Sequence, residues 1–334
     1  MRLDSQRYPD RRLSVAPMME WTDRHCRTFH RLMSRGTLLY TEMLTANALV
    51  HGDPERWLKH SAAEYPLALQ LGGSEPEVLH RAATIARDFG FIEINLNCGC
   101  PSDRVQNGAF GACLMREPAR VADCVAAMID AAASGPEITV KCRIGVDDQD
   151  PAQALPAFVD RVAGAGVRSF TVHARKAWLQ GLSPKENRTV PPLDYPLVGC
   201  LKADRPDLQI VLNGGIATLE EAIQHLETFD GAMIGRAAYA DPWAILAQAD
   251  QRVFGLEGPV LGPDQAVRAM FDYIEDELAQ GTRLHQITRH MLGVFAGRPG
   301  ARRWRRVLSE GAHLPGAGLD LLERALAEVT PAAA

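Results

Sequence analysis

One candidate for chemistry is a cysteine that precedes a proline at the end of an apolar run. The segment 97–101 reads Asn-Cys-Gly-Cys-Pro and follows the run Phe91–Leu96. A thiol with an ordinary pKa is mostly protonated at neutral pH, so Cys100 can donate a proton as well as act as a nucleophile. No set of Cys and His completes a tetrahedral site at zinc-like spacing, so we expect no metal. Five other cysteines are predicted to be packing residues: Cys98, Cys113, Cys124, Cys142 and Cys200.

Basic side chains in or after other apolar runs suggest an anionic ligand. Lys141 lies in the run Ile138–Ile144, and His173 follows the run Ser169–Val172. An ammonium group is costly to bury unpaired, so a bound anion or a reduced cofactor ring would explain Lys141. A histidine alone is more often a structural residue. Beside Lys141 and Gln70, however, His173 is a candidate donor to a heterocycle.

Two turns that contain glycine predict a phosphate site. Gly214 and Gly215 follow Asn213, and Gly235 precedes Arg236. Glycines let backbone N–H groups approach an anion closely, and an arginine adds a charge-assisted hydrogen bond. Plain turns between a strand and a helix are the alternative interpretation.

Strand-like and helix-like stretches alternate along the first part of the chain. Eight short apolar runs recur: Leu13–Ala16, Leu38–Leu44, Pro66–Leu71, Phe91–Leu96, Ile138–Ile144, Ser169–Val172, Gln209–Leu212 and Gly231–Ile234. The helix-like stretches are Asp23–Met33, Ser74–Phe89 with Ser74 as its N-cap, Glu117–Ala132, Pro151–Ala165 and Thr218–Thr228. This alternation predicts a parallel sheet with helical crossovers, and eight repeats favour an α/β fold of the (β/α)8 TIM barrel type. An open α/β sheet is the alternative. A barrel carries its chemistry at the C-terminal ends of its strands, where the candidate residues fall.

The strand pattern stops near Trp243, and the rest of the chain is predicted to be helical. We therefore predict two domains, a barrel over residues 1–243 and an all-α domain over residues 244–334. The predicted helices are Trp243–Phe254, Pro263–Gln280, Leu284–Phe295, Gly300–Ser309 and Gly318–Val329, with Gly255–Gly262 as a linker.

Arginines are concentrated in the predicted all-α domain, although the net charge of the chain is −5. Residues 283–306 include seven arginines and no acidic residue: Arg283, Arg289, Arg298, Arg302, Arg303, Arg305 and Arg306. Guanidinium groups suit phosphates, and the interleaved His285, His290 and Trp304 would suit a base or ribose face. The alternative is a solvated helix face paired with acids such as Glu275–Glu277. The long loop 174–194 adds three basic residues, Lys176, Lys185 and Arg188.

Composition and motifs exclude several classes of protein. With 36 Lys and Arg against 41 Asp and Glu, the chain is not a globally basic nucleic-acid-coating protein. Seven cysteines without framework spacing favour a reducing, cytoplasmic compartment. We expect neither a signal peptide nor a membrane span, and no obligate protein partner is evident. The chain lacks a Rossmann glycine motif, a Walker A loop and a His-Glu-x-x-His motif.

Seven ordered motifs resemble those of the tRNA-dihydrouridine synthase family, from about residue 12 to residue 313. They are Ala16–Met18, Asn95–Ser102, Arg104–Gly108, Lys141–Gly145, Val172–Arg175, Asn213–Gly215 and Ile234–Arg236. Three further segments resemble the A-type subfamily in particular: Ile287–Gly293, Pro299–Arg302 and Trp304–Arg306.

The resemblance implies an FMN-bearing TIM barrel with a helical tRNA-binding domain. Such an oxidoreductase reduces D-loop uridines, at 20 and 20a in the A type, to 5,6-dihydrouridine with electrons from NADPH. By the same resemblance, hydride passes from the reduced flavin to C6 and Cys100 protonates C5. The residues that would bind FMN are Pro17, Met18, Met19, Gln70, Lys141, His173, Asn213, Gly214, Gly215, Gly235 and Arg236. Those that would contact tRNA are Asn97, on the uracil side, with Lys185, Arg188, Arg302 and Arg305.

One residue departs from the family pattern, and three other functions stay open. The family usually has an aliphatic residue where this chain has Cys98, so a redox reaction between Cys98 and Cys100 is conceivable. A flavin barrel acting on a free pyrimidine, as dihydroorotate dehydrogenases do, would leave the arginine cluster unexplained. A non-catalytic RNA-binding protein or a flavin-free phosphate-sugar enzyme would be colourless.

Overall fold

Eight parallel strands form the centre of the computed structural model, which describes residues 9–102 and 110–329. The strands are β1 (Leu13–Val15), β2 (Leu39–Thr45), β3 (Leu67–Gly72), β4 (Glu93–Cys98), β5 (Glu137–Arg143), β6 (Ser169–His173), β7 (Gln209–Asn213) and β8 (Gly231–Ile234). They pair in the order β1-β8-β7-β6-β5-β4-β3-β2. Backbone bonds from Val15 N to Leu38 O, at 3.0 Å, and from Leu38 N to Leu13 O, at 3.1 Å, close the sheet. The predicted (β/α)8 barrel is therefore confirmed, and the open sheet is wrong.

Side chains alternate between the two faces of the barrel wall, because successive residues of a strand point to opposite sides. Along β5, Val140 and Cys142 belong to the main apolar core under the helices. Thr139 and Lys141 therefore face the barrel interior. A smaller apolar cluster fills part of that interior: Ala16, Leu38, Tyr40, Ala68, Val211 and Met233. The alternation is what turns the polar residues of the strands inward.

Helices of the barrel follow the strands. They are α1 (Arg24–Met33) after β1, α2 (Ala46–His51) and α3 (Pro54–Leu58) after β2, α4 (Pro76–Asp88) after β3, α5 (Pro118–Ala132) after β4, α6 (Pro151–Gly164) after β5, α7 (Tyr195–Asp204) after β6 and α8 (Leu219–His225) after β7. Asp23 caps α1 and Thr218 caps α8 through their side chains. The predicted Ser74 cap is wrong, since α4 begins at Pro76 after Glu75, without a side-chain cap. Proline suits that first helical position because it has no N–H to satisfy.

The remainder of the described chain is helical, as predicted. Its α-helices are α9 (Arg236–Ala240), α10 (Pro242–Leu246), α11 (Pro263–Arg268), α12 (Phe271–Ala279), α13 (Leu284–Thr288), α14 (Ala301–Gly311) and α15 (Leu319–Ala327), and a π-helix covers Asp250–Phe254. Residues 255–262 contain no helix, as expected for the predicted linker, whose role between domains stays a prediction. The predicted helix Pro263–Gln280 forms two helices instead of one, and that over Leu284–Phe295 is regular only as far as Thr288. Helix α10 crosses the predicted boundary at residues 243 and 244, and the division into two domains stays a prediction.

One apolar core runs from the helix layer of the barrel into the C-terminal helices. It joins Phe29 of α1 to Val267, Ile287 and Leu322 of the later helices. The C-terminal helices are thus packed onto the barrel at α1. Within the described residues, no helix is both long enough and apolar enough to cross a membrane.

Candidate active site

A cavity of about 490 Å³ lies at the carboxyl ends of the barrel strands. Its walls come from strands on one side of the barrel and from the loops that follow β1, β6, β7 and β8. The lining residues are Ala16, Pro17, Met18, Met19, Trp21, Lys141, His173, Arg188, Asn213, Gly214, Gly215, Ile216, Ala217, Met233, Gly235, Arg236 and Ala237. The size suits a ligand of several rings or a nucleotide.

Most of the residues predicted to bind a cofactor meet in this cavity. Ten of the eleven line it: Pro17, Met18, Met19, Lys141, His173, Asn213, Gly214, Gly215, Gly235 and Arg236. Gln70 does not, since its buried side-chain amide is bonded to Asn95 and Asn97. That these residues bind a cofactor stays a prediction, but their convergence gives it a common location.

Sequence reasoning missed two notable lining residues, Trp21 and Met233. The indole of Trp21 stacks on the ring of Tyr239, with centroids 4.3 Å apart and planes 13° apart. In the sequence, the one indication that Trp21 lines the cavity was its position in the same loop as Met18. Met233 is the interior-facing residue of β8, which strand alternation could have indicated.

The cavity is cationic, because among the described residues its lining includes basic side chains but no carboxylate. The Lys141 ammonium donates to Asn213 Oδ1 at 2.9 Å, a neutral partner. Burial, assisted by Arg143, lowers the pKa of Lys141 to about 7. Burial and then Arg143 and Lys141 hold the pKa of His173 well below its ordinary value, so its imidazole is neutral at neutral pH. A bound anion would relieve the repulsion between protonated Lys141 and the neighbouring Arg143 and Arg188.

The glycine turns bring backbone close to the cavity. Gly214 and Gly215 have φ angles of +108° and +78°. A Cβ at Gly214 would lie 2.4 Å from His173 Cδ2, and one at Gly215 would lie 2.5 Å from Leu193 Cδ1. Within the described residues, the N–H groups of Gly214, Gly215 and Gly235 donate no hydrogen bond. Donors of this kind suit the oxygens of a phosphate.

Cys100 stands beside the cavity on the loop after β4. Its thiol interacts electrostatically with Lys141, Arg143 and Arg188, which places it near the cationic wall. The backbone of the loop is fixed by Asn97, whose Oδ1 accepts from the N–H groups of Gly99 and Cys100, both at 3.0 Å. The thiol lies 3.4 Å from Ser102 Oγ. The motif Arg104–Gly108 lies outside the described residues.

Cys98 is set apart from Cys100 by the alternation of β4. Its side chain is fully buried in the main apolar core, and burial raises its thiol pKa well above the ordinary value. A protonated thiol on the helix side of the wall is a poor partner for redox exchange. Three of the other cysteines are buried or half-buried as predicted, but Cys200 is exposed, so its prediction as a packing residue is wrong.

Arg143 ties the loop after β6 to the cysteine loop. Its guanidinium donates to Gly99 O at 3.1 Å, to Asn187 O at 2.9 Å and to Lys176 O at 3.3 Å. Arg188 of that loop lines the cavity, and its carbonyl accepts from Arg236 at 3.2 Å. Lys185 is exposed. The predicted binding loop therefore borders both the cavity and Cys100.

Helix α14 has four exposed arginines, and three of them share one side of the helix, which we call the arginine face: Arg302, Arg305 and Arg306. They lie at helical spacing on one side, and none has an ion pair within the described residues. Arg303 points elsewhere and pairs with Glu328 at 2.6 Å. Glu277 pairs with Arg24, so it does not neutralise this face.

Two of the three ring side chains in the arginine-rich segment, those of Trp304 and His290, are buried, and that of His285 is half-buried. Trp304 is fully buried, with its indole N–H toward Met291 O at 3.3 Å and its ring against Phe295. The prediction that it offers a face to a base is wrong, because Ala301, Trp304 and Leu308 form the apolar stripe of α14. His290 is also buried, 3.0 Å from Asp23 Oδ2.

Comparisons with known proteins agree with this geometry. The family model described as dihydrouridine synthase matches residues 14–330. A tRNA-dihydrouridine(20/20a) synthase of Vibrio cholerae is 58% identical over 319 residues, which cover 95% of this chain and 96% of that protein. A protein of the same name from Escherichia coli K12 is 58% identical over 316 residues, 94% of this chain and 90% of that one.

A solved structure supports the fold independently. The old yellow enzyme homologue from Zymomonas mobilis superposes with a TM-score of 0.52 at 14% identity, over 75% of this chain and 90% of that one. At that identity the likeness concerns the barrel alone. The family match and the two close relatives extend over nearly the whole chain, and with them the chain belongs to the dihydrouridine synthase family.

Proposed function

We propose that this protein is a tRNA-dihydrouridine synthase that reduces the C5=C6 bond of uridines 20 and 20a. Its family implies a flavin-dependent oxidoreductase, and its close relatives bear the name tRNA-dihydrouridine(20/20a) synthase. The observation that carries the proposal is a cationic cavity, lined by Lys141, Arg188 and Arg236 and by no carboxylate of the described residues, that the Cys100 loop borders.

FMN is the flavin that we assign to the cavity. The unbonded N–H groups of Gly214, Gly215 and Gly235, with Arg236, would hold its phosphate. Lys141 and His173 would face its ring, and Pro17, Met18 and Met19 would pack against it. This assignment rests on two observations. Among the described residues, the cavity lining has no carboxylate that would repel a phosphate. The backbone also approaches the cavity closely at Gly214.

The protein's own residues supply charge and a proton to the reaction. The chemistry that bound, reduced FMN would supply is a hydride for C6 of the uracil ring. Protonated Lys141, which lines the cavity, would stabilise the negative charge of a reduced flavin bound there. The Cys100 thiol then donates its proton to C5, and the loop fixed by Asn97 presents it to the base. Asn97 would contact the uracil as well.

The tRNA would bind across the cavity mouth and the arginine face. A base in a loop costs a few kcal/mol to unstack, and phosphate contacts offset that cost. Arg302 and Arg305 are free to make such contacts, Arg188 lines the cavity, and Lys185 is exposed on the same loop. We therefore place the D-loop over the mouth and the neighbouring elbow along α14. Because its substrate would be tRNA, we expect it to act in the cytoplasm.

NADPH is the electron donor that we propose. An absorption experiment with NADPH and NADH tests this directly, because the donor that bleaches the flavin faster at equal concentration is preferred. A clear preference for NADH would replace NADPH in the scheme without changing the substrate.

The product test uses tRNA that carries uridine at positions 20 and 20a. Incubation with the purified protein, FMN and NADPH should add two hydrogen atoms at those positions, detected by nuclease digestion and mass spectrometry. Addition of two hydrogen atoms at other uridines instead would mean that the enzyme modifies different positions of the tRNA. No gain in tRNA, together with reduction of a free pyrimidine, would overturn the proposal.

A further inference from the structure

A chain of hydrogen bonds runs through the barrel interior from the cysteine loop to a buried carboxylate. It starts at Asn97, whose Nδ2 donates to Gln70 Oε1 at 2.9 Å. Gln70 Nε2 donates to Asn95 Oδ1 at 2.8 Å, and Asn95 Nδ2 donates to Thr139 Oγ1 at 2.8 Å. Thr139 Oγ1 donates to Glu93 Oε1 at 2.6 Å. We call these five side chains the interior chain.

The far end of the interior chain is fixed by an ion pair. Arg11 donates to Glu93 Oε2 through Nε at 2.9 Å and through Nη2 at 2.6 Å. Arg11 Nη2 also donates to Glu137 Oε2 at 2.6 Å, so two carboxylates hold the Arg11 guanidinium in place. The five chain members are each less than a tenth exposed, and the middle three are at most 2% exposed. Water cannot easily replace a lost partner there.

The chemistry of the two ends gives the interior chain one direction. An ionised carboxylate only accepts, so the Thr139 hydroxyl must donate to Glu93. Its oxygen is then left to accept from Asn95, which turns the Asn95 oxygen toward Gln70. The same logic turns the Gln70 oxygen toward Asn97. The last amide can therefore present only its oxygen to the backbone N–H of Cys100.

Amide groups can otherwise rotate by half a turn at little cost in shape, so their orientation needs a cause. We propose that Glu93, Thr139 and Asn95 are positioning residues that orient the amides of Gln70 and Asn97 and so hold the Cys100 loop. They touch neither the cavity nor the thiol. The catalytic part of this inference rests on the proposed role of Cys100, whereas the orientation of the loop does not.

The interior chain can be tested with a matched set of variants at Thr139 and Tyr40. Thr139→Val keeps the shape but removes the hydroxyl, which leaves the Asn95 amide without its acceptor. Thr139→Ser keeps the hydroxyl and should behave as the native protein does. Tyr40→Phe is the control, because the Tyr40 hydroxyl also donates to Glu93 Oε1, at 2.6 Å, but lies outside the path to Cys100.

The first readout is the rate of alkylation of Cys100 by iodoacetamide in the holoenzyme, measured peptide by peptide. Exposed Cys200 serves as the internal reference. We expect Thr139→Val to raise the Cys100 rate about fivefold relative to Cys200, because a buried hydrogen bond that restrains the loop is lost. Thr139→Ser and Tyr40→Phe should leave the ratio unchanged. An unchanged ratio in Thr139→Val, or an equal rise in Tyr40→Phe, would overturn the inference.

The second readout separates positioning from the proposed function. Reoxidation of the reduced flavin by tRNA should slow by about tenfold or more in Thr139→Val, with the tRNA Kd unchanged and recovery in Thr139→Ser. If the native protein showed no reoxidation by tRNA while the alkylation ratios held, the proposed function would fail and the positioning role would stand.

A third measurement needs no variant, should Thr139→Val fail to fold. Neutron diffraction from deuterium-exchanged crystals of the native holoenzyme shows which atom of each amide carries deuterium. We expect deuterium on the Asn97 atom that faces Gln70 and none on the atom that faces Cys100. The reverse orientation at Asn97 or Gln70 would refute the one-way chain.

Discussion

The cavity and the arginine face of α14 are both cationic, but they hold their charge in different ways. In the cavity, Lys141 is buried and held by a hydrogen bond to Asn213, and burial lowers its pKa to about 7. On α14, Arg302 and Arg305 are exposed and have no ion pair within the described residues. The first region is preorganised at a cost in stability. The arginine face costs little stability, because its side chains stay solvated, and it does not hold a ligand in one orientation.

The difference indicates two kinds of ligand. Buried cations interact strongly over short distances and are little affected by salt, which suits a small anionic cofactor held in one pose. Exposed arginines are screened by salt and tolerate many arrangements, which suits the backbone of a large polyanion. The Cys100 loop lies where the two ligands would meet.

The largest expected effect is on the rate of tRNA reduction, and it comes from the Cys100 loop. Cys100→Ala should slow flavin reoxidation by tRNA by about a hundredfold or more, because the proton donor is lost. Flavin content and the tRNA Kd should stay as in the native protein. Rapid-mixing absorbance and filter binding measure these quantities. Turnover near the native rate would remove Cys100 from the acid role.

A smaller effect should be confined to the cavity. In Gly214→Ala the new Cβ would meet His173 at 2.4 Å, in a backbone conformation with φ of +108°. Such strain should weaken FMN binding by about tenfold to a hundredfold, measured by flavin fluorescence, without changing tRNA binding. Gly181→Ala is the control, since Gly181 also has a positive φ, +82°, but has open space around it. Equal losses in both variants would point to backbone strain alone.

The arginine face should show the opposite pattern. Arg302→Ala combined with Arg305→Ala should weaken tRNA binding by about tenfold and lower its salt slope by about two, with flavin content unchanged. Arg303→Ala is the matched control on the same helix, because Arg303 is already paired with Glu328. A salt slope that stays at the native value in the double variant would mean that tRNA binds elsewhere.

The smallest effect concerns the stability of the flavin-free protein. The pKa of Lys141 is about 7 in the folded protein and 10.5 in the reference state. The unfolded chain therefore binds the proton more tightly, and the destabilisation is full below pH 7 and fades as the pH rises from 7 to 10.5. Lys141→Met should raise the Tm of the flavin-free protein more at about pH 6.5 than at about pH 9. Calorimetry that finds the same gain at both pH values would contradict a buried, destabilised Lys141.

The strands, the inward position of Lys141 and the glycine turns of the cavity could be predicted from the sequence, because each follows from a local pattern. The eight apolar runs lie at the strands, and period-two alternation turns Lys141 into the barrel. Glycine pairs mark the close approach at Gly214. The spacing of Ala301, Trp304 and Leu308 also indicated that these three side chains are buried on one side of a helix. The many arginines around them drew attention away from that spacing.

The rest depends on partners that are distant in sequence. His290 meets Asp23 across 267 positions, which removes it from the basic surface. The interior chain needs side chains from β3, β4 and β5 in one register, with Gln70 opposite Asn95 and Asn95 opposite Thr139. No spacing within a single segment indicates such a network.

The most direct test of the account is a visible absorption spectrum of the purified protein, recorded in three steps. We predict a flavin band that bleaches when NADPH is added and returns, in the absence of oxygen, when tRNA with unmodified uridines is added. High salt should slow the return but not the bleaching, because only the arginine face is screened. A band that returns with a free pyrimidine instead, or a colourless protein that FMN does not reconstitute, would contradict the account.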